Sequence, residues 1–178
     1  MIINPFFWRS IPWLEILTKV KEQQIREAHQ ARYCWCLDNG HGILTQGKRS
    51  PVFDGQQLLE YEFNLDIVDR IIEQLEAKGV TYYRTIHRGE QLGNALRLRV
   101  KRANEHKSRI PKLFVSIHAN AGPARSIQHW ADDSISGIET WHHDKSGTGI
   151  ALARIFQREL VSSFPDWKNR GLRHKSGQ

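Results

Sequence analysis

The stretch Cys34–Gly47 reads CWCLDNGHGILTQG. Its first residues are apolar and aromatic; then come turn-forming residues and a histidine set between two glycines. A short apolar run suits a buried strand over Tyr33 to Leu37, and the Asp-Asn-Gly-His-Gly cluster reads as a tight, exposed turn at its end. A histidine between two glycines at such a junction is an odd place for a packing residue. Beyond it, residues 43–58, with Gly47, Pro51 and Gly55, read as a loop. From Leu59 to Lys78 the period turns helical. Phe63, Ile67, Val68, Ile71, Ile72 and Leu75 form one stripe, and Gly79 sits where a helix C-terminus wants it. Val80 to Ile86 reads as a strand and Leu92 to His106 as a helix. Over Leu113 to His118, Leu113, Val115 and Ile117 alternate with Phe114, Ser116 and His118. Ile138 to Trp141 is a short strand, and Gly149 to Ser162 a third amphipathic helix. Strands alternating with helices predict an α/β fold: a largely parallel twisted sheet with helices on both faces.

The chain has 178 residues, 39% hydrophobic and 25% charged, a composition that suits one soluble globular domain and excludes a disordered or fibrous chain. Its net charge of +7 favours anionic partners: nucleic acid, a membrane surface or an anionic wall polymer. No recognised nucleic-acid motif accompanies the charge, so nucleic acid is not expected. No window of about 18 apolar residues exists, so no membrane span is expected. The opening MIINPFFWRSIPWLEILTKVKEQQ is interrupted by Arg9, Glu15 and Lys19 and lacks the build of a signal peptide. Synthesis in the cytoplasm is expected, with release or export by other means. Residues 1–32 differ from the rest and read as an N-terminal helical extension to a domain over 33–178. Cys34 and Cys36 would share one strand face too closely for a good disulfide and read as small buried hydrophobes.

In open α/β sheets, ligands bind beyond the carboxyl ends of the strands. His41 follows the first strand and His118 closes the Leu113 strand. If those strands are parallel, the two imidazoles share an edge. Glu60 falls on the stripe of Phe63, Ile67 and Ile71, whereas Glu62 falls with Asp66, Asp69 and Glu73 on the solvent side. An inward carboxylate in a first helical turn needs compensation. Two histidines supply a reason, and His41, Glu60 and His118 become the candidate metal ligands. Two histidines and a glutamate leave positions on zinc for water and substrate. Zinc lowers the pKa of such a water to about 7 and polarises a carbonyl.

CLDNGHG, LLEYEFNLDIVDRI, RVKRAN, LFVSIHANA, GIETW and GIALARIFQREL follow in order along the chain. Together they resemble the zinc-dependent N-acetylmuramoyl-L-alanine amidases of the type-3 class, which occur in autolysins, cell-division amidases and phage endolysins. The resemblance runs from residue 33 to about residue 174. It implies hydrolysis of the amide between the muramic acid lactyl group and the L-alanine of the stem peptide. It also implies Zn2+ as cofactor, peptidoglycan as substrate and action on the cell wall, with a phage-released lysin one route there. The family's three ligands fall on His41, Glu60 and His118. Asn39 replaces the usual proline before Gly-His-Gly, Ile43 follows Gly42 where a second glycine is common, and His87-Arg88 replaces Thr-Arg. Asn169-Arg170-Gly171-Leu172 resembles the family's Arg-Gly segment. The family then continues into a further strand with a Glu-x-Gly-Phe motif, whose glutamate is the expected general base, and a last helix. By this resemblance the general-base glutamate would lie beyond Gln178, and no residue of the chain matches it. The catalytic residue is therefore left unassigned. The expectation is a fragment of a longer product, or a sheet completed by a second chain or a C-terminal segment.

Three residues are candidates for contacting the ligands from behind. Arg99 lies on the apolar stripe of its helix and is expected to find an ion pair. Asn120 would shape the turn after His118. Glu139 sits inside the GIETW strand. The loop from Gly122 to Ser136, with Trp130, is long enough for a substrate flap. Two rivals remain. A zinc carboxypeptidase-like peptidase would pair His-x-x-Glu in one motif, a spacing His41 and Glu60 do not have. A non-catalytic zinc-containing wall-binding module, or an inactive fragment of a longer amidase, would keep the metal without turnover.

Overall fold

The computed structural model describes residues 32–45, 49–119, 126 and 134–175. The helix expected within residues 1–32 and most of the Gly122–Ser136 flap lie outside the described residues. The chain divides between Ala119 and Asn120 into two units.

The first unit is built on three parallel strands in the order β4-β1-β5: β1 (Cys34–Asp38), β4 (Tyr82–Arg84) and β5 (Lys112–Ser116). Alternation along β1 sends Trp35 and Leu37 to one face and Cys34, Cys36 and Asp38 to the other. Helix α1 (Glu60–Ala77) covers the first face. Leu37, Val68 and Ile72 form its buried core, with Trp35, Ile71, Leu75, Tyr82, Val115 and Ile117 packed around them. Arg84, on the same face, ion-pairs with Asp69 of α1. Helix α2 (Leu96–Glu105) covers the second face. There Arg99 reaches Asp38, His106 stacks on Tyr83 at 4.1 Å, and Lys112 Nζ donates to the carbonyls of Ala103, Asn104 and His106. The expected parallel sheet with helices on both faces is thus realised in this unit.

The sequence misleads in three places. Residues 43–58 are not all loop: β2 (Arg49–Phe53) and β3 (Gln56–Leu59) form an antiparallel hairpin. Its turn is Asp54-Gly55, both with left-handed φ (49° and 75°), the backbone that a two-residue hairpin turn requires. The Asp-Gly signal is present in the sequence, and Gly47 and Pro51 obscure it. Helix α2 starts at Leu96 rather than Leu92, because the Leu92 carbonyl is turned outward to accept from Leu44 N at 2.9 Å. Of the expected stripe of α1, Val68 and Ile72 are buried and Ile71 and Leu75 pack against them, but Phe63 is exposed; the innermost line is Glu60, Asn64, Val68 and Ile72. Gly79 does end this helix, with φ 64°. Cys34 and Cys36 are buried and free.

The second unit holds β6 (Ile138–His143), α3 (Gly147–Ser163) and β7 (Asn169–Lys175). β6 and β7 pair in parallel. Ser146 caps α3 by accepting from Gly149 N at 3.0 Å. The buried Gln157 ties the helix to both strands: its Nε2 donates to the Ile138 carbonyl (3.0 Å) and to Asn169 Oδ1 (2.7 Å), and its Oε1 accepts from Thr140 Oγ1 (2.8 Å). β7 is a strand that the sequence does not announce, because a charged segment carrying Gly171 lacks strand patterning. Among the described residues no helix is long and apolar enough to cross a membrane.

Candidate metal centre

At the carboxyl edge of the first unit's sheet, β1 ends at Asp38 and the chain turns through Asn39, Gly40, His41 and Gly42; the expected exposed turn is instead buried, because the segments of Ile117 and Leu92 press against it. Gly40 and His41 both take left-handed φ, 44° and 53°. For a histidine this backbone costs on the order of 1–3 kcal/mol and is held only where the surroundings dictate it. Here they do. A Cβ on Gly40 would lie 2.5 Å from the Ile117 carbonyl and 2.6 Å from Cε1 of His118; one on Gly42 would lie 2.2 Å from the Leu92 carbonyl. The two glycines let the His41 turn press against the segment that carries His118 and against the loop before α2.

Glu60 is the first residue of α1. It follows β3 directly, so the hairpin delivers it to the sheet edge, where the positive end of the helix dipole faces its charge. His118 lies two residues beyond β5. His41 Nε2 stands 3.3 Å from Glu60 Oε1, and His118 Nδ1 stands 3.2 Å from the same oxygen. The imidazole rings meet edge to face, 4.9 Å between centroids and 89° between planes. One donor atom from each of the three residues lies within 4.8 Å of the other two. Burial pushes the Glu60 carboxyl up, but the His118 hydrogen bond, the neighbouring His41 and His118 rings and the Asn64 amide outweigh it. The net is a carboxyl below its usual range. His41 and Glu60 are closed off, with side chains 11% and 7% exposed, while His118 is 36% exposed and gives the centre one open side. Two imidazoles and a carboxylate converging from the His41 turn, the start of α1 and the segment after β5 form a donor set that can hold a divalent metal ion.

Glu62 points to solvent and accepts from Tyr61 Oη at 2.8 Å. Arg99 forms a buried ion pair with Asp38, behind the three converging side chains rather than among them. Glu139 belongs to the second unit, where it accepts from Trp141 Nε1 (2.9 Å) and pairs with Arg170 (3.0 Å) and Arg173 (3.8 Å). Asn120 lies outside the described residues. The described residues end at Lys175. Sequence reasoning passed over Asp38, Asn64, Thr85 and Ser116, four polar residues at or beside the centre; Asp38, Asn64 and Thr85 are fully buried. Asn64 had a signal: it lies one helical turn beyond Glu60 on the inward stripe.

A family model described as N-acetylmuramoyl-L-alanine amidase matches residues 36–178. No match was found among curated proteins. Among solved structures, the chain is similar to the N-acetylmuramoyl-L-alanine amidase AmiC2 of Nostoc punctiforme, at 29% identity and a TM-score of 0.60, over 82% of this chain and 71% of that one. It is similar also to the N-acetylmuramoyl-L-alanine amidase of Clostridium difficile 630, at 26% identity and a TM-score of 0.60, over 81% and 70%. The amidase Ami1 of Mycobacterium smegmatis shares the fold at 20% identity and a TM-score of 0.56, over 81% and 73%.

Proposed function

The chain belongs to the N-acetylmuramoyl-L-alanine amidase family, and from that premise we propose that it cleaves the amide joining N-acetylmuramic acid to L-alanine in peptidoglycan, with zinc held by His41, Glu60 and His118. The convergence of those three donor atoms within 4.8 Å carries the proposal. A bound zinc ion would supply a Lewis acid that acidifies water and polarises the lactyl carbonyl. The chain's own residues do the rest. His41 and His118 offer imidazole nitrogens, and Glu60 offers a carboxylate at the first residue of α1, where the helix dipole favours its charge. The buried His41 turn closes one side to solvent, and the half-open edge of His118 leaves room for the scissile amide. All three side chains are occupied as ligands, so the proton acceptor is a separate group. The basic surface favours association with anionic wall polymers.

The test is digestion of purified peptidoglycan by the zinc-loaded chain, with products read by mass spectrometry. Stem peptides with new L-alanine amino termini are expected. Sacculi that bind the zinc-loaded protein and release no peptide would overturn the proposal in favour of a wall-binding module or an inactive fragment of a longer amidase.

A further inference from the structure

Asp38 closes β1 and is fully buried. Its carboxylate collects four donors from four places. Oδ2 accepts from Ser116 Oγ at 2.5 Å, from Gly40 N at 3.3 Å and from Arg99 Nη1; Oδ1 accepts from Thr85 Oγ1 at 2.6 Å. Gly40 immediately precedes His41, and Ser116 stands two residues before His118. The Asp38 carbonyl also accepts from Ile117 N at 2.8 Å. Asp38 thus spends its hydrogen bonds behind the three proposed ligands, yet both histidine-bearing segments hang from it. Arg99, only 2% exposed, neutralises the charge and fixes the carboxylate from α2. A buried carboxylate bonded this fully is held as rigidly as the backbone around it.

We propose that Asp38 is a positioning residue: it sets the separation of His41 and His118 and so determines how tightly the centre holds its metal ion. The proposal rests on the metal-centre reading above. Ligand sets work only when held within about 0.5 Å of their productive geometry, and side chains that do not touch the metal commonly set that geometry. A carboxylate is acceptor-only, and all four of its partners here are donors. Asparagine at this position would keep the shape but present an N–H to at least one of them.

The experiment measures zinc affinity by chelator competition, beside thermal unfolding of the metal-free protein, on the whole chain. Asp38→Asn is expected to weaken zinc binding by about 10–100-fold, the range seen for groups that orient metal ligands. Ser116→Ala leaves the Arg99 pair intact and cuts only the carboxylate's side-chain tie to the His118 segment; a loss of about tenfold is expected. Val68→Ala removes core packing against α1, away from the carboxylate. It should lower the unfolding temperature while leaving affinity within about twofold, since a truncation in the core acts through packing alone. If Asp38→Asn fails to fold, Ser116→Ala set against Val68→Ala decides. Variants that bind zinc like the wild type, or losses of affinity that simply track losses of stability across all variants, would overturn the proposal and leave the metal centre standing. A wild-type chain that takes up no zinc would overturn both.

Discussion

Glu60 and Glu62 stand two positions apart and face opposite ways. Glu60 is 7% exposed and lies within hydrogen-bonding distance of His118, whereas Glu62 is exposed and bonded to its neighbour Tyr61. Removing the first takes away a proposed ligand and leaves the two imidazoles without the Glu60 carboxylate; removing the second takes away a solvated charge. Glu60→Ala is therefore expected to lose stoichiometric zinc on dialysis while Glu62→Ala keeps it, as read by metal analysis. The opposite pattern would mean that the inward stripe of α1 has been misassigned. The three proposed ligands were legible from the sequence because each carries a local mark: histidine between glycines, histidine at a strand end, glutamate on the inward side of a helix. Asp38, Thr85 and Ser116 carry none. Each is an ordinary polar residue at the end of a strand, and their meeting depends on β1, β4 and β5 lying side by side.

At the scale of elements, the loop after β4 is braced against α2. Arg102 grips Glu90 with both ends of its guanidinium, at 2.6 and 2.8 Å, and also donates to the Thr85 carbonyl at 2.9 Å. Glu90 in turn accepts from His87 N at 2.7 Å. The Arg102 hydrogen bonds hold the Glu90 carboxyl below its usual range; burial opposes them, and the His87 N–H adds to them. The sign follows from linkage. A carboxyl depressed on folding stabilises the protein above its unfolded value of about 4.3, and that stabilisation is lost as pH falls through the lower folded value. Both side chains are 26% exposed, so the effect is small and screened by salt. Glu90→Gln is expected to flatten the fall in unfolding free energy as pH drops below about 4.3; an unchanged acid limb would show that the brace does not form. Element boundaries were legible where periodicity was long, as in α1. They were obscured where a turn signal competed with proline and glycine, as at Asp54-Gly55, or where a strand was charged, as in β7.

For the whole molecule, all three proposed ligands belong to the first unit, and the second contributes none among its described residues. A ligand that binds only the folded state stabilises it by mass action, by about 2.7 kcal/mol at a hundredfold excess over its dissociation constant. Zinc is expected to raise the unfolding temperature and a chelator to reverse the gain. Hydrogen exchange should slow chiefly at the His41 turn, the start of α1 and the segment around His118. Uniform slowing across both units, or none, would argue against a centre confined to the first.

The order of amino acids by itself determined the α/β class, the family and the three side chains proposed to hold a metal. Periodicity, strand-end chemistry and the spacing of motifs are all local properties of the chain. Only the tertiary structure decided that Gly40 and Gly42 are required by backbone approaching from Ile117 and Leu92, and that Arg99 serves Asp38. Only it showed that one buried carboxylate ties both histidine segments together. Those facts depend on which strands are neighbours in the sheet, and contacts between residues as far apart as Asp38 and Ser116 leave no periodic trace in sequence.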